Sequence, residues 1–544
     1  MSWFDSRYPR PILPFSLPRF SPRVIGAVAF AAGAALASGA WVSRPAPDAS
    51  PGASAYAKAR VFEEALTLLR AHAVDTLNEG DLYLRATEGV VKSLHDPWAA
   101  LLVGDRYGKF KAQLDGMTSG VGLDVETRGG RVAIASTVAG SPAAQAGLMA
   151  GDWVLTVNDS TTEGWSGERA MAALRGPEGS PVQLTLMRPG GTEPYGVTLI
   201  RAPVHQPAVK RGLLVGDSIG YLAVTAMTTR ASDELTRQID ALVARGARGM
   251  VLDFRGNPGG LVQEGAKIAE LFLDPGQNVA TMKGRDLEVF QATDPQRWPG
   301  LAVVILVDGG TASAAEVASA ALQDHDRAIV LGTPTFGKGV VQRTYALADD
   351  VALRFTTARW YAPSGRWIQR GIKPARLGYP SDGGRILPAG VGVVPDTVVT
   401  PAVPTDAERA YGIAVSRDRG EYEEALTVIA AHLVRAGAVS TDSTPVTSRM
   451  RAMLFQRLQG SGLHISDTLY AQARSAVDRD LGVAMVRAAF GMTAAERRQI
   501  AYDRQVQTAR ELLKEYPDPH APLSLETAGL GNLVASTTDS SATE

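Results

Sequence analysis

The stretch GMVLDFRGNPGG (249–260), read together with LAVVILVDGGTAS (301–313), decides the fold. Each is an apolar run of strand length that breaks into a glycine-rich loop. SIGYLAV (218–224) precedes the pair and RAIVLG (327–332) follows it, while helical periods fill the gaps at 231–244, 262–273 and 312–324. Strand and helix in alternation predict an α/β core with a mostly parallel sheet. Ligands of such sheets gather at the carboxyl ends of the strands. DFRGNPGG (253–260) and VDGGTAS (307–313) both lie at such ends, so the chemistry is expected at one edge of the sheet.

Two residues near that edge point to a reaction. Ser313 opens the apolar stretch TASAAEVASAAL (311–322), and Lys338 sits in the glycine-flanked loop TFGKG (335–339). A serine hydroxyl needs a base to take its proton, and a lysine serves when burial keeps its amine neutral. A helix, a strand over 328–332 and a turn over 333–339 separate the two, which lets the lysine fold back toward the helix start. At an ordinary pKa a lysine is only about 0.1% neutral near physiological pH, so catalysis requires a depression of roughly two units. Phe336, Val340 and Val341 are the apolar neighbours expected to supply it. The same residues also fit a structural reading, because Ser313 and Glu316 have the spacing of a capping box and Lys338 has the setting of a solvated loop residue. These residues alone leave both readings open. GTPTFGK (332–338) begins like a nucleotide-binding P-loop, but Gly339 stands where a Mg²⁺-binding hydroxyl is needed and no helix-forming run follows, which argues against an ATPase.

Outward from the core, VIGAVAFAAGAALASGAWV (24–42) is a charge-free run long enough to span a bilayer, behind a leader carrying Arg7, Arg10, Arg19 and Arg23. It predicts a signal peptide or an N-terminal membrane anchor, with the rest of the chain sent across the membrane. The expected location is therefore the cell envelope, on the periplasmic side of the inner membrane. Residues 1–55 comprise leader, apolar segment and Pro/Ala/Ser linker, and 56–117 read as a helical domain that includes LHDPWAALL (94–102). Residues 118–203 alternate short β-rich runs with helical patches at 142–146 and 167–174, a compact β domain. Past the α/β core at 204–400, residues 401–544 read as a helical domain for scaffolding or assembly that ends in a polar tail.

A net charge of −1 gives no basic field for nucleic acid. The absence of cysteine excludes disulfides, thiolate metal sites and a cysteine nucleophile. The seven histidines show no metal-ligand spacing, and His325 falls at the far end of the helix that Ser313 opens. No metal, no cofactor and no Ser–His pair is expected.

The order SGVGLDV (119–125), SPAAQAGLMAGDWVLTVND (141–159) and GPEGSPVQLTLMR (176–188) resembles a PDZ domain. That resemblance implies that the loop with Gly120, Val121, Gly122 and Leu123 offers N–H groups to a peptide's C-terminal carboxylate, while the next strand accepts the peptide as an extra strand. Together with LHDPWAALL, DFRGNPGG, TASAAE, GTPTFGKGVVQ (332–342), TTARWYAPSGRWIQRGIKP (356–374) and GVVPD (392–396), the chain resembles the C-terminal processing peptidases, or tail-specific proteases, over roughly 62–399. The resemblance implies a serine endopeptidase in which Ser313 is the nucleophile, Lys338 the general base and Gln342 the support of the lysine, with the backbone amides of Gly259, or one residue on at Gly260, and of Ala314 as oxyanion donors. Thr311 and Ala315 stand where the family commonly has serines, which leaves Ser313 alone at the helix start. Protein or peptide substrates with free C-termini are implied, with an adaptor or a homo-oligomer as further partners. A catalytically inactive, PDZ-based peptide-binding scaffold is the competing expectation.

Overall fold

The computed structural model describes residues 55–128, 131–216 and 218–515. The leader, the apolar segment 24–42, the linker and the polar tail lie outside the described residues. Among the described residues no helix is long and apolar enough to cross a membrane. The chain divides into two units, 1–95 and 96–544. The first holds helices α1 (Ala55–His72) and α2 (Glu79–Ser93), the latter capped by Asn78, whose side chain accepts the N–H groups of Gly80 and Asp81.

The second unit opens on a turn and a strand, where a helical segment was expected. Asp96 accepts the Trp98 N–H at 3.0 Å, Pro97 lies inside that turn, and the chain then extends as β1 (Ala100–Val103), paired antiparallel with residues 351–354. Proline and the aspartate-centred turn break the helical pattern, and the partner strand absorbs the apolar run. Helix α3 (Asp105–Leu114) follows.

The β domain comprises β2 (Met117–Gly120), β3 (Leu123–Arg128), β4 (Arg131–Thr137), α4 (Pro142–Gln145), β5 (Trp153–Val157), β6 (Ser160–Thr161), α5 (Gly167–Leu174), β7 (Pro181–Met187), β8 (Tyr195–Ile200) and β9 (Ala202–His205). Its main sheet runs β3-β4-β5-β7-β8, so β3 is an edge. Alternation along β7 sends Val182, Leu184 and Leu186 inward against Ile134, Val154 and Leu174.

The α/β core comprises β10 (Leu213–Val215), β11 (Ile219–Ala223), α6 (Ala231–Ala244), β12 (Gly249–Asp253), α7 (Val262–Glu270), β13 (Asn278–Lys283), β14 (Leu287–Gln291), β15 (Ala302–Val307), α8 (Ala314–Asp324), β16 (Ile329–Gly332), β17 (Val340–Ala348), β18 (Val351–Tyr361), β19 (Gly378–Pro380), β20 (Ile386–Pro388) and β21 (Thr397–Val398). The central sheet has the order β10-β11-β12-β15-β16-β21; β10 pairs antiparallel and the remaining neighbours pair in parallel. β12 and β15 are buried throughout, as continuous apolar runs covered on both faces must be. A second sheet, β1-β18-β13-β14 with β17 also on β18, is antiparallel and was not legible from the alternation.

One face of the central sheet buries Leu252, Ile305 and Val330 against α6, α7 and α8. The other face carries the main departure from the expected layout. Helices α9 (Asp406–Ser416), α10 (Arg419–Arg435), α11 (Ser448–Gly460), α12 (Asp467–Gln472) and α13 (Arg474–Phe490) build a core of their own around Tyr411, Leu454 and Leu481. After α14 (Met492–Ile500), helix α15 (Arg504–Glu515) lays Val506, Ala509, Leu512 and Leu513 on Ile219, Val251, Val304 and Leu306. The segment 401–544 is thus not wholly a separate helical domain, because a two-sided apolar sheet needs a second cover and α15 supplies it.

Candidate active site

Ser313 ends the loop between β15 and α8 and is the N-cap of α8. Its φ of 56° and ψ of −119° are unusual for a residue with a side chain, a conformation that costs on the order of 1–3 kcal/mol and persists only where surroundings enforce it. The enforcement is visible in two loops stitched together. Asp308 Oδ1 accepts the N–H groups of Gly256 and Gly310 at 2.8 and 2.9 Å, the Thr311 hydroxyl donates to the Phe254 carbonyl at 2.9 Å, and the Ala312 N–H donates to the Asn257 carbonyl at 2.9 Å. Thr311 therefore has a definite task at the position where a serine was the commoner expectation.

Glu316 is fully buried one turn into α8 and joins the serine to the lysine loop. It accepts the Ser313 and Lys338 N–H groups through Oε2 at 2.8 and 2.9 Å, and the Thr335 hydroxyl and Gly337 N–H through Oε1 at 2.5 and 2.6 Å. Burial pushes its pKa up, while the bonds from Thr335, Lys338, Gly337 and Ser313 oppose that shift. The S-x-x-E spacing thus forms one half of a capping box, with the serine side chain in capping position but making no cap hydrogen bond. Sequence reasoning saw Glu316 only as a cap; its role across elements was missed.

The lysine loop is held from its other side by the TTARWYAPSGRWIQRG segment. Trp360 Nε1–H donates to the Lys338 carbonyl at 2.9 Å and Trp367 Nε1–H to the Gly339 carbonyl at 2.7 Å, while Arg370 grips the carbonyls of Thr335, Phe336 and Val391. Gln369 accepts the Gly339 N–H at 2.9 Å. Lys338 itself is half-buried, and its amine lies 4.1 Å from the centroid of the Trp98 ring. Burial and then the positive charge of Arg354 pull its pKa down to about 8, against the opposing pull of Glu316 and Asp96. The dry surface expected from Phe336 comes instead from Trp98, since Phe336 is 45% exposed and meets the Trp98 ring edge-on at 6.3 Å. Nothing local in the sequence marks Trp98, because its proximity arises only from β1 pairing with β18.

Ser313, Lys338 and Gln342 line one cavity of about 550 Å³, together with Gly259, Gly260, Phe110, Met282, Val341 and Arg354 among others. No hydrogen bond joins Ser313 to Lys338 among the described residues. Gln342 donates its amide to the Thr356 hydroxyl at 3.2 Å, and no hydrogen bond links it to Lys338. Gly259 needs correction as an oxyanion donor: its N–H already donates to Asn257 Oδ1 at 2.9 Å. The next amide, Gly260, and that of Ala314 at the start of α8 make no backbone hydrogen bond among the described residues. Glycine is required at both positions of the pair. At Gly259 (φ +90°) a Cβ would stand 2.6 Å from the Ala312 oxygen, and at Gly260 (φ +151°) it would stand 2.2 Å from the Met227 oxygen.

Asp253, the last residue of β12, ties several elements together. It accepts from Tyr221 at 2.7 Å and from Arg255, whose other nitrogen reaches Asp503 at 2.8 Å and Gln505 at 2.6 Å at the start of α15. His325 lies at the far end of α8 on Asp382 and the Asn278 carbonyl, away from Ser313. No cluster of side chains suited to a metal ion occurs among the described residues.

In the β domain, Val121 and Leu123 are buried in its core, and Gly120, Val121, Gly122 and Leu123 line a narrow cavity with Met171, Leu174 and Arg175 of the α5 end. That cavity, between β3 and α5, is small, with space of about 20 Å³. Arg487 of α13 pairs with Glu126 on β3 at 2.9 Å.

Comparison with known proteins agrees with this organisation. The model of peptidase family S41 matches residues 218–376, and that of the PDZ domain matches 109–187. The carboxy-terminal processing protease CtpA of Bacillus subtilis is 34% identical over 293 residues, which are 53% of this chain and 62% of that protein. A solved photosystem II D1 C-terminal processing protease aligns with 63% of this chain and 88% of its own length at 26% identity, with a TM-score of 0.36. The carboxy-terminal-processing protease of Bartonella bacilliformis is 31% identical over 349 residues, 63% of this chain and 75% of its own. On that extent of shared sequence, with both domain types present in order, the chain belongs to the carboxy-terminal processing proteases of peptidase family S41.

Proposed function

We propose that this chain is a serine endopeptidase that cuts proteins near their C-termini in the cell envelope, using Ser313 and Lys338 as a dyad. The observation that carries the reading is that Ser313 shares one cavity with an amine whose pKa lies at about 8, held there by burial and by Arg354. In the reaction, neutral Lys338 takes the Ser313 proton as the hydroxyl attacks a peptide carbonyl; the resulting ammonium then protonates the leaving amine, and water releases the acyl-enzyme. The Ala314 and Gly260 amides are the groups that would receive the carbonyl oxygen as it becomes negative, the first backed by the N-terminus of α8.

The resting arrangement is read as latent. Lys338 lies on the Trp98 ring with no bond to Ser313, and Gln342 is turned to Thr356. Engagement requires the amine to move off the ring, and a bound peptide is the natural trigger. The PDZ loop at Gly120, Val121, Gly122 and Leu123 is proposed to take the substrate's carboxylate, with the peptide parting β3 from α5. Residues 24–42 are proposed to anchor or export the protein, which puts the site on the periplasmic side of the inner membrane.

Fluorophosphonate labelling and casein hydrolysis by the wild type, beside Ser313→Ala and Lys338→Ala, test the dyad. Labelling is expected only where Ser313 is present, and hydrolysis only where both are. Equal signals from all three would leave a peptide-holding module in place of an enzyme.

A further inference from the structure

The catalytic cavity carries three cationic side chains, Lys338, Arg343 and Arg354, against one carboxylate, Glu288. Arg343 and Glu288 satisfy each other at 2.7 Å. Lys338 is assigned to Ser313. Arg354, on β18, is left over. Its guanidinium lies 5.1 Å from the centre of the Phe110 ring, and its Nε is buried with no hydrogen-bond partner among the described residues. Asp96 acts on it only at a distance: among the described residues no hydrogen bond or ion pair joins the two, and the Asp96 oxygens accept the N–H groups of Thr356 and Trp98 at 2.8 and 3.0 Å.

A partly desolvated guanidinium with no counter-charge in direct contact is costly to keep, and burial pulls its pKa down against the pull of Asp96. Its planar fork matches a carboxylate in two parallel bonds. Stacking on Phe110 would leave the edge N–H groups for such a ligand, in the chamber that also holds Ser313.

We propose that Arg354 binds a carboxylate of the substrate inside the catalytic cavity, either the terminal carboxylate of the segment to be removed or an acidic side chain within it. The peptide identity of this ligand rests on the peptidase reading above. Arg354 is then a second carboxylate reader, separate from the PDZ loop, and it would fix how far from the chain end the bond is cut.

The test uses the full chain and three peptides of one sequence: a free C-terminal acid, its C-terminal amide, and the amide with a glutamate placed after the scissile bond. In the wild type, the acid or the glutamate peptide is expected to exceed the plain amide by about 10- to 100-fold in kcat/KM, the scale of a charge-assisted pair. Preference for the acid identifies the chain terminus as the ligand, and preference for the glutamate peptide identifies the side chain. In Arg354→Gln the preference for the glutamate peptide falls to within about twofold and that for the acid falls at least about fivefold, to whatever the PDZ loop alone confers, and Arg354→Lys recovers part of each. Removing the charge also relieves Lys338, so the pH profile moves to higher pH for every peptide; a purely electrostatic role would give that shift with the preference intact. No preference in the wild type, or one undiminished in Arg354→Gln, overturns the proposal. Fluorophosphonate labelling scores the dyad independently. Should the wild type neither label nor cleave, binding of the same peptides to Ser313→Ala, with and without Arg354→Gln, still decides for or against Arg354.

Discussion

On the proposed dyad, Lys338 sets the pH at which the site works. Only the neutral amine accepts a proton, and its pKa is held at about 8. The dependence of kcat/KM on pH is therefore expected to rise through about pH 8 and level off above it, a limb measurable with any peptide substrate between pH 6 and 10. A limb centred near the ordinary lysine value would contradict the assigned base. Ser313 adds a second residue-scale consequence through its backbone. Since φ is 56° there, Ser313→Gly relieves strain that Ser313→Ala retains. Both variants are expected to be inactive, yet the glycine form should be more stable than the alanine form by about 1 kcal/mol in urea or thermal unfolding. Equal stabilities would mean that the loop relaxes once the hydroxyl is gone.

At the scale of elements, Glu316 is the bond between α8 and the lysine loop, with three backbone N–H groups and one hydroxyl directed at a single carboxylate. Glu316→Ala strands those donors in a buried place, at a cost of about 3 kcal/mol or more, and should lower kcat at least 100-fold with a clear drop in melting temperature. Retained activity would show that the loop holds its place through Arg370, Trp360 and Trp367 alone. Much at this scale was legible in the sequence, because periodicity and glycine breaks are local signals: α6 spans 231–244 as read, and the two glycine loops do meet at the serine. The rest was not local. Trp98 reaches Lys338 through strand pairing, Gly259 loses its N–H to a neighbouring asparagine, and Gln342 turns to the opposite strand. No spacing rule encodes which of two adjacent amides is free.

For the molecule as a whole, the central sheet depends on residues remote from its strands. Helix α15 covers Val251, Val304 and Leu306, and Arg255 ties the glycine loop to Asp503 and Gln505 beside it. Deleting residues 504–515 uncovers an apolar sheet face, so the truncated chain is expected to aggregate or lose all Ser313 labelling. A soluble, labelled product would show that the cover is dispensable. The same feature bears on timing. The ribosome delivers β11, β12 and β15, with the serine, well before it delivers α15, and until then the sheet has one bare side. On the proposed function, a hydrolase assembled in that order is expected to gain its cutting edge only after its own closing segment has arrived.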